Sequence, residues 1–171
     1  MTSYELFARL SSAEAAEVFG WLHDNDRAAY KNMAGMLATR RKLRPVFVVR
    51  KPRGEREEWM RGALGRAANA DLAAEILQAW IMGANGPMVC EFLDDLKVPH
   101  DGKGLLETLP PEPPEQEIAR AVDALLSKHP AAAVRVYLNL FTGMEMTEWP
   151  ALRALVSSDP RLCPSPQPTT P

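Results

Sequence analysis

From Ser11 to Ser157 the large apolar residues recur three and four positions apart, and Gly and Pro break the pattern again and again. That spacing puts side chains on one face of a helix, whereas a half-buried strand needs strict alternation, which is nowhere sustained. Leu72, Ile76, Leu77, Trp80 and Ile81 form one such set. Met88, Val89, Phe92, Leu93 and Leu96 form a second, and Ile118, Val122, Leu125 and Leu126 a third. Val134, Tyr137, Leu138 and Phe141 form a fourth, and Trp149, Leu152, Leu155 and Val156 a fifth. The expected fold class is all-α: a multi-helix bundle, or a short stack of α-hairpin repeats of the HEAT or TPR kind, with about seven to nine helices.

The punctuation sets the expected boundaries. Ser11 with Glu14 is a capping-box pair that opens a helix running to about Asp24. The run Asp24-Asn25-Asp26 offers N-caps for the next helix, whose stripe is Tyr30, Met33, Met36 and Leu37. Val46-Phe47-Val48-Val49 is the one stretch with β character, but a lone strand has no partner here. It is expected as a short helical turn or an extended buried segment. Pro52 and Gly54 end it, and a helix over 55–68 follows, with Trp59, Ala63, Leu64 and Ala67 on one side. Gly83 is the expected C′ residue of a helix over 71–82. Asn85-Gly86-Pro87 then opens a helix to about Lys97. Residues 99–114 read as a loop with one helical turn at 105–109, and LPPEPPEQ as a stiff extended connector. Helices over 115–128, 130–141 (closed by Gly143) and 148–157 complete the series.

Residues 1–160 are expected as one helical domain with a sub-boundary at 99–114, followed by a Pro-rich tail, 161–171, without regular structure. At 171 residues with 46% hydrophobic composition the chain can bury a core without disulfides or a structural metal. Its two cysteines, Cys90 and Cys163, are too few and too far apart for a disulfide framework or a zinc site. The opening residues lack a signal-peptide pattern, and the longest uncharged stretch, 76–90, is too short and broken to span a bilayer. The expectation is a cytoplasmic protein that does not enter a membrane.

Two segments share an outline. Gly83, Phe92, Leu96 and Pro99 in one correspond to Gly143, Leu152, Val156 and Pro160 in the other, with the two glycines 60 residues apart. Only Ala73/Ala133 and Gly83/Gly143 are identical in that alignment. A stacked array would present a concave binding face. Amphipathic helices with Gly and Pro between them also look alike without common ancestry.

Charge is segregated. From Arg40 to Arg66 there are ten Lys and Arg against three acids, a balance of +7 in a chain whose net charge is −2, leaving −9 for the remainder. Arg40, Arg41, Lys42, Arg44, Arg50, Lys51, Arg53 and Arg56, with Trp59, are the candidate binding residues. Arg suits bidentate phosphate or carboxylate contacts, and Phe47 and Trp59 can stack on bases where exposed. The same cations can instead cap a helix C-terminus or pair with acids of the chain, Arg50 and Lys51 with Asp94 and Asp95 among them.

Catalytic signatures are missing. No nucleophile elbow is present, and the adjacent acids Glu57-Glu58 and Asp94-Asp95 diverge on a helix. Gly102-Lys103-Gly104 follows no strand and reads as a flexible turn. His23-Asp24 and His100-Asp101 are the His-Asp pairs that all-α metal phosphohydrolases use, but the further upstream His and downstream Asp of that pattern are not found. The leading expectation is a non-enzymatic module that binds a protein, with no cofactor, no metal and an open oligomeric state. The alternative is nucleic-acid or polyanion binding through 40–66, and the third is a metal-dependent hydrolase using His23, His100 and Asp101.

Overall fold

A computed structural model of the chain describes residues 1–144 and 147–163. Among these the protein is all-helical, 72% helix with no strands. Ten α-helices follow in order: α1 (Ser3–Arg9), α2 (Ser12–Asn25), α3 (Arg27–Arg40), α4 (Pro45–Val49), α5 (Arg53–Leu64), α6 (Ala70–Ala84), α7 (Gly86–Asp95), α8 (Glu115–Lys128), α9 (Ala131–Gly143) and α10 (Pro150–Ser158). A 3-10 turn, Ala67–Asn69, precedes α6. Contacts divide the chain into two compact units, one from Thr2 to Trp80 and one from Ile81 onward, so the division falls within α6. The Pro-rich loop at 99–114 lies inside the second unit.

In the first unit α5 packs on α1 and α2, α2 on α3, and α3 on α4. The interior is built from Phe7, Phe19, Leu37, Met60 and Leu64, all fully buried. Phe7 and Phe19 stack with ring centroids 6.0 Å apart. The helix starts follow their capping chemistry. Ser11 Oγ accepts from the Glu14 amide at 3.2 Å, and the Glu14 carboxylate accepts from the Ser11 amide at 2.8 Å. Asp26 accepts from the Ala29 amide at 2.8 Å. Helix α1 was not anticipated. Its start carries the same chemistry, the Thr2 amide donating to Glu5 at 2.8 Å.

In the second unit α9 is nearly enclosed, with residues 132–139 all buried. Helices α8 and α10 pack on it, and α7 packs on α8. Phe92, Tyr137, Phe141 and Trp149 form a chain of ring contacts 5.3–6.1 Å apart. The proline connector is stapled to α10: Trp149 Nε1 donates to Pro110 O at 3.1 Å, and the Leu152 amide donates to Glu112 at 3.1 Å.

Several local expectations need correction. Helix α6 runs through Gly83 to Ala84, so Gly83 is not its C′ residue. Helix α5 begins at Arg53, takes Gly54 into its first turn and stops at Leu64 instead of Ala68. Residues 105–109 form no helical turn; they are irregular. The 102–104 segment is a fixed turn, because Asp101 accepts from the amides of Lys103 (2.8 Å) and Leu105 (3.0 Å). Helices α3 and α7 end in Schellman motifs whose C′ residues are Lys42 and Lys97, each at φ 56. The six-to-one bonds are Leu43 N to Ala38 O and Val98 N to Leu93 O, both 2.8 Å. Of the tail, Leu162 is fully buried and its carbonyl accepts from Asn139 at 3.3 Å. Residues 164–171 lie outside the described residues.

Candidate functional site

Helix α4 starts because Pro45 sits in its first turn, where a missing amide costs nothing and a fixed φ is already helical. The β-like run Val46–Val49 is therefore a helical turn, and the extended buried alternative does not hold. Adjacent residues on a helix point about 100° apart, so a four-residue apolar run cannot be buried on one side. Only Val48 is buried, at 1% exposure. Phe47 is 63% exposed, and Val46, Val49 and the preceding Leu43 are between 42% and 48% exposed.

Arg56 holds this turn in place. Its Nη1 donates to Val49 O at 3.0 Å, its Nε donates to Tyr30 Oη at 3.1 Å, and its guanidinium lies over the Tyr30 ring at 5.4 Å. The end of α4 is thereby tied to α3 from α5, with Val48 as the apolar anchor beneath.

Apart from Arg66, exposed beyond α5, the cations of the basic segment sort into two groups. In the first, each cation is spoken for by the chain. Arg40 binds Asp71 bidentately and also reaches Asn69 and Ala68 O. Its guanidinium holds the Asp71 carboxyl far below the ordinary carboxylate range. Lys51 meets Glu55 at 3.6 Å and Arg53 meets the buried Glu57 at 2.7 Å. Arg61 pairs with Glu58, whose carboxyl is lowered by that contact. The expected pairing of Lys51 with Asp94 or Asp95 is replaced by the neighbour four residues on.

The second group is Arg41, Lys42, Arg44 and Arg50. All four are exposed, and among the described residues none has an ion pair or side-chain hydrogen bond. They bracket the exposed apolar side chains: three cations before α4 and one directly after it. Of the candidate residues, then, Arg41, Lys42, Arg44 and Arg50 belong to one open surface. Arg40, Lys51, Arg53 and Arg56 serve the fold. Trp59 is half-buried on α5. Leu43, Val46 and Val49 were missed as surface residues, although the helical geometry of four consecutive apolar residues was available to find them.

The histidines take part in local pairs. His23 Nδ1 meets Asp24 at 2.8 Å in the first unit. In the second, the Gly102 amide donates to His100 Nδ1 at 3.1 Å, which leaves Nε2 to donate to Asp94 at 3.1 Å. His129 and Lys128 both meet Glu91. Among the described residues no three His, Cys, Asp or Glu side chains converge as a metal site, and no helix is long and apolar enough to cross a membrane. No family model matches the chain, and neither a curated protein nor a solved structure does.

Proposed function

We propose that the protein is a non-enzymatic interaction module whose binding face is the corner formed by Arg41–Arg44, α4 and Arg50, and whose partner is another protein. One observation carries the reading. Three of the four residues Val46–Val49, together with Leu43, are exposed and flanked in sequence by four exposed cations that no acid among the described residues pairs. An apolar centre with an arginine-rich rim is the composition of a protein interface, where aromatic residues and Arg are enriched and water is excluded from the middle. Val48 alone of this turn is buried, and the core accounts for the others only in part. A cytoplasmic location, expected from the sequence, is part of this proposal.

The test places a photo-crosslinking amino acid at position 47 in producing cells, identifies the crosslinked protein and reconstitutes the complex from purified components. The expected result is a stoichiometric complex that Phe47→Ala weakens by roughly tenfold, the scale of a small hot spot. A complex that is indifferent to Phe47→Ala and Val49→Ala together would remove this face from the reading.

Nucleic acid is the second reading, favoured by the four unpaired cations beside an exposed aromatic ring. It requires oligonucleotide affinity that falls with salt as about four phosphate contacts on a single strand dictate, and that ignores Val49→Ala.

A further inference from the structure

We infer that the segment received by this corner is a short acidic one carrying apolar anchors: acids placed around one or two large apolar side chains on a partner protein. The inference rests on the protein-binding reading above and adds the partner's chemistry.

Charge complementarity is the first argument. The basic segment has three acids of its own, Glu55, Glu57 and Glu58, and each is engaged by Lys51, Arg53 or Arg61. Asp71, brought in from α6, is held by Arg40. Among the described residues no acid lies within ion-pair distance of Arg41, Lys42, Arg44 or Arg50, so the corner presents four positive charges beside an apolar centre. Opposing carboxylates steer association and fix register, while like charges are rejected.

Size is the second argument. Helix α4 has five residues, about 7.5 Å of axis at 1.5 Å per residue. A standard interface engages about 20–30 residues on each side. A surface centred on one helical turn matches a short linear segment that brings a few anchors, in the manner of a helix laying i, i+3 and i+4 side chains on an apolar strip.

The make-up of the centre is the third argument. Leu43, Val46 and Val49 are aliphatic and offer no stacking platform, so only Phe47 can face a base. Aliphatic side chains are matched by apolar anchors of a peptide.

The experiment titrates the whole chain into labelled helical peptides and follows fluorescence anisotropy. The probe carries Leu and Phe on one face and Glu and Asp elsewhere. The comparison peptides replace every Glu and Asp by Gln and Asn, or by Lys, or replace Leu and Phe by Ala. An oligothymidylate and phosphatidylserine vesicles are run beside them. The expected result is binding of the acidic apolar probe that weakens roughly tenfold with added salt and with Arg44→Ala plus Arg50→Ala. Phe47→Ala is expected to weaken it by a comparable factor. Thermal melts of these surface variants, unchanged from the parent, show that folding is intact. Equal, Phe47-dependent binding of the Gln/Asn peptide would overturn the acidic chemistry and leave the protein-binding reading standing. Binding of the oligonucleotide or the vesicles, but of no peptide, would overturn both. No binding of the acidic apolar probe while crosslinking at position 47 still yields a reconstituted complex would overturn the inference alone.

Discussion

Arg40 and Asp71 are joined by two parallel hydrogen bonds, Nη1 to Oδ1 at 2.8 Å and Nη2 to Oδ2 at 2.7 Å. This fork takes Arg40 out of the basic surface and ties the end of α3 to the first turn of α6, where a carboxylate is favoured by the helix dipole. Arg40 and Arg44 are four residues apart and identical in composition, yet they have separate roles. Arg40→Ala is expected to lower the melting temperature and leave binding at the α4 corner within about twofold, because Asp71 already takes up its charge. Arg44→Ala is expected to leave the melting temperature unchanged and weaken binding several-fold, roughly the effect of one rim charge. Parallel thermal melts and binding titrations read both; a common loss of binding in the two variants would contradict the division.

Tyr137 shows what a polar group costs without a partner. Its ring is buried, edge-on to Phe92 at 5.6 Å, and its hydroxyl has no hydrogen-bond partner among the described residues. Burial raises the phenol far above its ordinary range, so it stays neutral. Removing an unsatisfied buried hydroxyl while keeping the ring relieves a desolvation penalty. Tyr137→Phe is expected to be neutral or stabilising by up to about 1 kcal/mol, whereas Phe92→Ala is expected to cost about 3–5 kcal/mol by cavity formation. Chemical denaturation of the two variants measures the contrast.

The turn after Asp101 holds two glycines with similar positive φ and different surroundings. Gly102 and Gly104 have φ +79 and +85. A Cβ at Gly102 meets nothing within 4 Å, whereas one at Gly104 would lie 2.6 Å from Val89 Cγ1. Both Ala variants bear the left-handed strain of about 1–2 kcal/mol. Gly104→Ala adds a clash with a buried β-branched side chain and is expected to cost roughly 1–3 kcal/mol more. Equal destabilisation of the two in urea melts would mean that Val89 moves aside freely.

Glu91 gives the acid limb of stability. Lys128 first, then His129, hydrogen-bond its carboxylate and hold its pKa below the ordinary Glu value. A depressed folded-state pKa contributes stability above the unfolded value of about 4.3, and that contribution disappears as pH falls through the folded value. Stability measured from pH 7 downward is expected to decline below about pH 4.5, and Glu91→Gln to shed part of that dependence. An identical acid profile in Glu91→Gln would assign the decline to other carboxylates.

The helices were legible where the apolar period and the caps agree. Ser11 with Glu14, Asp26 and the run from Ile118 to Leu125 all fall where their spacing puts them. What escaped depends on contacts between residues distant in sequence or on residue types that break the usual signal. Gly83 looks like a terminator, but a helix can absorb one Gly in its last turn for about 1 kcal/mol. At the site, the cations were visible, but not which of them the chain uses. Arg40 meets an acid 31 residues away and Arg56 meets Tyr30 26 residues away. The exposure of Val46, Phe47 and Val49 was implicit in the arithmetic of a helix, once Pro45 makes it one.

Lys42 separates stability from binding most sharply, because one side chain bears on both. It occupies a left-handed C′ position at φ 56, where Gly is the least strained residue, and it is also one of the four unpaired cations. Lys97 occupies the same position at the end of α7, with the matching bond from Val98 N to Leu93 O at 2.8 Å. Replacing either by Gly relieves the backbone and is expected to stabilise by about 0.5–1 kcal/mol, net of the greater freedom of Gly in the unfolded chain. Their effects on binding then diverge: Lys42→Gly loses affinity for an acidic probe while the fold becomes more stable, and Lys97→Gly keeps affinity. Because the two changes in Lys42→Gly have opposite signs, weaker binding there cannot be an unfolding artefact. Unaltered affinity in Lys42→Gly at low salt would show that the cations before α4 do not act as one surface.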